Sequence, residues 1–93
     1  MSSQDVTISA KDGGTFSGYL ALPEGGSGPG VVVIQEIFGV NAVMREITDD
    51  IASMGYVALC PDLFWRQEPG IQITDQTEAE WARAFELFNG FDL

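Results

Sequence analysis

The residues best suited to chemistry lie together, where a carboxylate follows a run of β-branched residues. Residues 31–35 (Val-Val-Val-Ile-Gln) run without alternation, which predicts a strand covered on both faces, as in a parallel sheet. Glu36 follows at once, then come the bulky Ile37 and Phe38, flexible Gly39 and a helix cap at Asn41. Ligands of open α/β sheets bind beyond the carboxyl ends of the strands, so chemistry is expected in this turn.

The other residue with nucleophilic chemistry, Cys60, lacks the partners that catalysis requires. It lies in Leu-Cys-Pro at the end of a short apolar run, without the flanking glycines of a strand-to-helix elbow. A reactive thiol needs a base or a positive field to form the thiolate, and the sequence contains no histidine. Cys60 is therefore predicted to be a small buried residue and not a nucleophile.

Composition excludes several classes of function. Fourteen acids against four bases give a net charge of −10, which disfavours binding to nucleic acid or to an anionic membrane surface. Neither a membrane span nor a signal peptide is predicted. The single cysteine fits a cytoplasmic protein. No cofactor is expected, and no metal site, because the acidic pairs have no histidine or cysteine at ligand spacing.

The pattern of the chain predicts one α/β domain at residues 1–93. Residues 1–22 form an antiparallel hairpin, with strands at 6–9 and 15–22 joined by Lys-Asp-Gly-Gly. Residues 30–61 form a right-handed βαβ unit that ends in an apolar strand at 56–61. Its helix carries four apolar residues at helical spacing: Val43, Ile47, Ile51 and Met54. A last helix at 76–89 opens with the capping box Thr77/Glu80 and has three aromatic residues on one face: Trp81, Phe85 and Phe88.

Several motifs in register resemble the dienelactone hydrolase (carboxymethylenebutenolidase) family of the α/β-hydrolase superfamily. They are Gln-Glu-Ile-Phe-Gly-Val-Asn at 35–41, Met-Arg-Glu at 44–46, Gly-Tyr at 55–56, Cys-Pro-Asp-Leu at 60–63, Arg-Gln at 66–67 and Pro-Gly at 69–70. The family domain is well over twice this length, so the likeness is to its N-terminal part. The resemblance implies a hairpin, a parallel βαβ pair and a C-terminal helix, with strand order 1-2-4-3.

The resemblance also implies roles for individual residues. Glu36 corresponds to the glutamate that activates the nucleophile, and the backbone N–H of Ile37 corresponds to a donor of the oxyanion hole. Phe38, Trp81 and Phe85 occupy positions that bind substrate, although Trp81 stands where the family commonly has an arginine and Phe85 where it has a tyrosine. For the two helix aromatics, and for Phe88, ordinary core packing is the favoured interpretation.

The family's cysteine nucleophile at a Gly-x-Cys-x-Gly elbow, its aspartate and its histidine have no counterparts here. The first hypothesis is therefore an inactive portion of an ester or lactone hydrolase, competent only with a complementary C-terminal segment. The alternative is a stand-alone, non-catalytic α/β domain that pairs with itself through its open sheet edge and at most binds a small ligand. With the family's strand order the apolar edge of the valine strand lacks a neighbour in this chain, which predicts a homodimer or even oligomer paired through that edge, or alternatively through the helix faces. For Asp62, hydrogen bonding to the following loop is expected, with Arg66 as its ion-pair partner.

Overall fold

The computed structural model describes residues 2–91. Strands β1 (Ser2–Ser9) and β2 (Thr15–Leu22) form the hairpin, and β3 (Gly30–Val32) follows the glycine-rich loop. Helix α1 (Ala42–Ser53) leads to β4 (Val57–Pro61), and α2 (Glu78–Asn89) comes last, starting two residues later than the sequence pattern indicates. Within residues 2–91 no helix is long and apolar enough to cross a bilayer.

The four strands form one mixed sheet in the order β1-β2-β4-β3, which confirms the predicted α/β class and strand order. The hairpin register pairs Ser2 with Leu22 and Ser9 with Thr15, so β1 extends four residues beyond its predicted start. In the centre, β4 runs antiparallel to β2 and parallel to β3. This order leaves β3 at the edge of the sheet, with one hydrogen-bonding side unpaired among the described strands.

The valine strand differs from the prediction in length and in burial. Regular pairing ends at Val32, although the Val33 N–H still donates to the Leu59 carbonyl at 2.8 Å. Val33 is buried, whereas Val32 and Ile34 are 62% and 63% exposed. The expectation of cover on both faces was wrong, because side chains alternate across a strand and residues 2–91 cover only the face next to α1.

Helix α1 begins where its cap chemistry indicates. The Asn41 side chain accepts a hydrogen bond from the Met44 N–H at 3.2 Å, which satisfies a free amide of the first turn. The buried residues of the helix are Met44, Thr48 and Ala52. The predicted apolar face was therefore misplaced, since it is exposed at three of its four positions: Val43, Ile47 and Met54. Helical spacing identified an apolar face but not whether a partner for it lies within these residues.

Thr77 caps the start of α2, although Glu80 bonds the Thr77 hydroxyl where a capping box would bond the Thr77 backbone N–H. The Thr77 side chain accepts from the Glu80 N–H at 3.1 Å, while the Glu80 carboxylate accepts from the Thr77 hydroxyl and from the backbone and side chain of Thr74. These hydrogen bonds, the one from the Thr74 N–H foremost, hold the pKa of Glu80 below its ordinary value. The residues of α2 that are buried are Ala84 and Leu87.

The expectation that the aromatic residues of α2 pack in the core was wrong. Trp81, Phe85 and Phe88 are 40%, 49% and 56% exposed. They project from the helix about 100–160° away from Leu87, which packs with Phe64 and Ile71. A second buried cluster lies between the sheet and α1: Val33, Val40, Met44, Ala58 and Cys60.

Candidate functional site

The loop after β3 is a tight turn at residues 36–39. The Gly39 N–H donates to the Glu36 carbonyl at 3.2 Å, and Gly39 has a φ of +82°, which disfavours any residue with a side chain. A Cβ on Gly39 would also collide with the Ile71 carbonyl. The turn therefore depends on glycine for its conformation and for its close approach to the chain at Ile71.

Neighbouring hydrogen bonds hold this turn against residues 71–73. The Ile73 N–H donates to the Phe38 carbonyl at 3.0 Å, and the Asn41 amide donates to the Ile73 carbonyl at 2.7 Å. Asn41, which is buried, thus caps α1 and ties the loop to the next segment of chain. The turn is fixed on both sides before any ligand arrives.

The turn borders a largely apolar cavity of about 510 Å³ on the face of the sheet opposite α1. The exposed carboxylate of Glu36 lies at this cavity, beyond the carboxyl end of β3. The Ile37 N–H donates to no backbone carbonyl among residues 2–91. The cavity is lined by Ile34, Gln35, Glu36, Ile37, Leu63, Phe64, Phe88, Asn89 and Phe91.

Phe38, Trp81 and Phe85 come together in an aromatic row beside the turn. The Phe38 and Trp81 rings meet edge to face at 5.1 Å between centroids, and Trp81 stacks on Phe85 at 5.7 Å. The indole N–H donates to the Asp75 carbonyl at 2.9 Å, which fixes the ring. The structure thus groups these three residues with one another, and places Glu36 and Ile37 at the cavity.

Cys60 lies apart from this site. It is fully buried beneath α1, and burial raises the pKa of its thiol, an effect only partly opposed by the neighbouring Thr48 side chain. A protonated, enclosed thiol is a poor nucleophile. The geometry agrees with its interpretation as a packing residue.

The three arginines form ion pairs with acidic side chains that do not line the cavity. Arg45 pairs with Asp5 at 3.1 Å and Arg83 pairs with Glu68 at 2.8 Å. Arg66 pairs with Asp12 at 2.8 Å, so its expected pairing with Asp62 was wrong. The hairpin turn brings Asp12 to Arg66, a proximity that sequence spacing does not reveal.

Asp62 bonds the backbone of the following loop, as expected. Its carboxylate accepts from the Phe64 N–H at 3.2 Å and from the Gly70 N–H at 2.8 Å, and its side chain is nearly fully buried. It therefore shapes the loop that contributes Leu63 and Phe64 to the cavity wall. Across the described residues, no three Cys, Asp or Glu side chains converge as metal ligands would.

One residue that bears on the site was not identified from the sequence. Gln35, only 9% exposed, donates from Nε2 to the Glu36 carbonyl at 3.0 Å and accepts at Oε1 from the Leu63 N–H at 2.8 Å. The signals were its polarity at the end of an apolar run and its place in the motif at 35–41, and its partners are 1 and 28 residues away.

A sheet of this order, with an acid-bearing turn beyond its parallel edge strand, defines the N-terminal part of an α/β-hydrolase domain. The dienelactone hydrolase family model matches residues 16–91. The chain belongs to the dienelactone hydrolase family.

Individual relatives agree with this assignment. A protein of Azospirillum brasilense, provisionally named a carboxymethylenebutenolidase, is 63% identical over 89 residues, and the match covers 95% of this chain and 38% of the relative. The carboxymethylenebutenolidase of Pseudomonas sp. strain P51 is 47% identical over 93 residues, which cover 100% of this chain and 39% of the relative. The chain thus spans less than two fifths of the length of these curated relatives.

A solved structure shows the same fold. The crystal structure of a protein from Klebsiella pneumoniae, provisionally named a dienelactone hydrolase, superposes with a TM-score of 0.61 and is 33% identical. The match covers 74% of this chain and 30% of that chain.

Proposed function

We propose that this chain supplies the Glu36 carboxylate and the oxyanion-binding N–H of Ile37 to a carboxylic ester or lactone hydrolase. The observation that supports this most directly is the Ile37 N–H, which has no acceptor among residues 2–91 and is held in a hydrogen-bonded turn at a cavity beyond the carboxyl end of β3. A fixed main-chain donor is what a tetrahedral oxyanion requires, because no reorganisation is needed when the negative charge develops. Glu36 then acts on the nucleophile beside that donor.

The nucleophile, the aspartate and the histidine come from a complementary segment. The sequence contains no histidine, and Cys60 is enclosed with a raised pKa, so this chain alone offers neither an imidazole base nor an accessible thiol. The relatives continue for more than three fifths of their length outside the match, which is room for an elbow and its partners. The isolated chain is therefore inactive in this proposal.

The aromatic row assigns a substrate preference within this proposal. Phe38, Trp81 and Phe85 present ring faces and no charge, and Arg83 is turned to Glu68 and Glu86 instead. A carboxylate on the substrate would find no charge-assisted hydrogen bond here. Neutral, aromatic or apolar esters and lactones are the preferred class.

We expect the isolated chain to hydrolyse p-nitrophenyl acetate no faster than a matched protein blank. Mixed with the segment of the Azospirillum relative that lies outside the match, it should show turnover. Glu36→Gln should lower this turnover at least about tenfold, because the carboxylate acts on the nucleophile. Glu24→Gln, at an exposed acid in the loop before β3, is the matched control and should leave it unchanged.

Two results would contradict the proposed function. One is burst kinetics from the isolated chain that Cys60→Ala abolishes, since the nucleophile would then lie within residues 1–93. The other is a complementary segment that binds stoichiometrically and yields no turnover. Saturation kinetics in the active mixture would also test the preference for neutral over anionic esters, through kcat/KM.

We also propose that the isolated chain forms a homodimer through the open edge of β3. Val32 and Ile34 are exposed beside unpaired backbone groups, and such an edge favours pairing with another strand. A two-fold axis between two β3 strands satisfies both edges at once, and an interface of roughly 800 Å² per partner suffices for a stable pair. A complementary C-terminal segment would compete for the same edge.

Light scattering at micromolar concentration should report a dimer for the unaltered chain. Val32→Lys should give a monomer, because a charge on an edge strand opposes pairing. Val43→Lys, at a comparably exposed valine on α1, is the control and should leave the dimer intact. A monomeric parent chain would refute the proposal, and dissociation by Val43→Lys alone would assign the interface to the helix faces.

A reducing, cytoplasmic location is proposed on the chemistry of the single cysteine. Cys60 is a free, buried thiol and has no second cysteine within the chain to pair with. A chain of this kind folds without disulfide chemistry.

A further inference from the structure

We infer that Gln35 is a positioning residue that sets the direction of the Ile37 N–H. The inference rests on the proposed function for the use of that N–H, but its geometry stands independently. The Gln35 amide bridges the two loops that leave the parallel strands β3 and β4. Its Nε2 donates to the Glu36 carbonyl at 3.0 Å, and its Oε1 accepts from the Leu63 N–H at 2.8 Å.

The Glu36 carbonyl and the Ile37 N–H belong to the same peptide unit. Peptide bonds are planar, and none of those described here is cis, so this N–H points opposite to the Glu36 carbonyl. Whatever fixes the carbonyl therefore fixes the donor. Two groups hold the carbonyl: the Gln35 Nε2 and the Gly39 N–H, at 3.0 and 3.2 Å.

The second bond of Gln35 anchors the first. The Leu63 N–H holds Oε1 in place, which orients the planar amide so that Nε2 faces the Glu36 carbonyl. Leu63 follows Asp62, whose carboxylate bonds two backbone N–H groups of its own loop. Through Gln35, the loop at Asp62 and Leu63, which is buried and hydrogen-bonded at Asp62, thus fixes the direction of the Ile37 N–H.

Nuclear magnetic resonance on the 93-residue chain tests this inference without any turnover. A scalar coupling across the hydrogen bond should join the Leu63 amide nitrogen to the Gln35 side-chain carbonyl carbon. Residual dipolar couplings should report the direction of the Ile37 N–H. Gln35→Met, which has neither donor nor acceptor of comparable strength, should alter the Ile37 coupling.

Gln35→Glu at pH 8 separates the two bonds. The ionised carboxylate still accepts from the Leu63 N–H but cannot donate to the Glu36 carbonyl. We expect the chemical shift of the Leu63 amide proton to stay that of a hydrogen-bonded amide, while the residual dipolar coupling of the Ile37 N–H changes. A general loss of packing would change both. Gln67→Met is the control, because Gln67 also donates to a backbone carbonyl, that of Leu87 at 2.8 Å, and it should leave Ile37 unaffected.

An Ile37 dipolar coupling that is unchanged in Gln35→Glu, or a missing Leu63–Gln35 coupling in the parent chain, would overturn the inference. Should Gln35→Met unfold, Gln35→Glu still decides the question. This test can fail or succeed independently of the test of the proposed function. If the complemented chain fails to turn over while the Ile37 coupling responds to Gln35, only the use of the N–H is refuted.

Discussion

Gly39→Ala should destabilise the chain by about 3 kcal/mol, a large loss for one methyl group. Part of the loss comes from the φ of +82°, which costs a residue with a Cβ about 1 kcal/mol. The remainder comes from the collision of the new Cβ with the Ile71 carbonyl, which the loop can relieve only by moving. Guanidinium unfolding followed by circular dichroism measures the change.

Comparison with a second glycine separates the cost of the positive φ from the cost of the collision with Ile71. Gly25 has a φ of +90° but has open space where a Cβ would be, so Gly25→Ala should cost only about 1 kcal/mol. Equal losses in the two variants would show that the contact between Gly39 and Ile71 does not constrain the turn. In a complemented hydrolase, Gly39→Ala should also abolish turnover, because a turn displaced by the new Cβ no longer aims the residue 39 N–H at the Glu36 carbonyl.

Leu87→Ala should cost about 2–5 kcal/mol, because it empties a fully buried site. Leu87 packs with Phe64 and Ile71, and this cluster fastens α2 to the loop that follows β4. The neighbouring Phe88 is larger but 56% exposed, so Phe88→Ala should cost less than about 1 kcal/mol.

The pair should be compared by denaturant unfolding at concentrations where the chain is monomeric, since an interface could bury Phe88. The reverse ranking, with Phe88→Ala the more damaging, would place the aromatic face of α2 in the core after all. Parallel denaturation slopes would show that both variants unfold from the same compact state.

The features that could be predicted from sequence are those that depend on nearby residues. Asn41 and Thr77 cap helices through hydrogen bonds to residues three positions away, so their side-chain chemistry was sufficient. The hairpin was identified by its glycine turn. Strand order 1-2-4-3 came from the family resemblance, and the structure confirms it.

The features that could not be predicted depend on what lies opposite a surface. An apolar residue at regular spacing indicates that a face needs cover, but Val32, Val43 and Phe88 show that the cover need not lie within residues 2–91. Likewise, Arg66 finds Asp12 across the hairpin, a distance of 54 positions along the chain. Only the fold brings such residues together, so the sequence pattern could not assign these contacts.

The two tryptophans give the chain a pair of separate optical signals. Trp65 stacks on Phe16 of the hairpin at 5.4 Å, with the Arg66 guanidinium over its ring, whereas Trp81 meets Phe38 of the turn at 5.1 Å. Each indole packs against a different segment. In Trp65→Phe the remaining tryptophan signal in near-ultraviolet circular dichroism comes from Trp81, and it therefore reports the ordering of the turn. Spectroscopists can thus watch the turn and the hairpin form independently, with no added label.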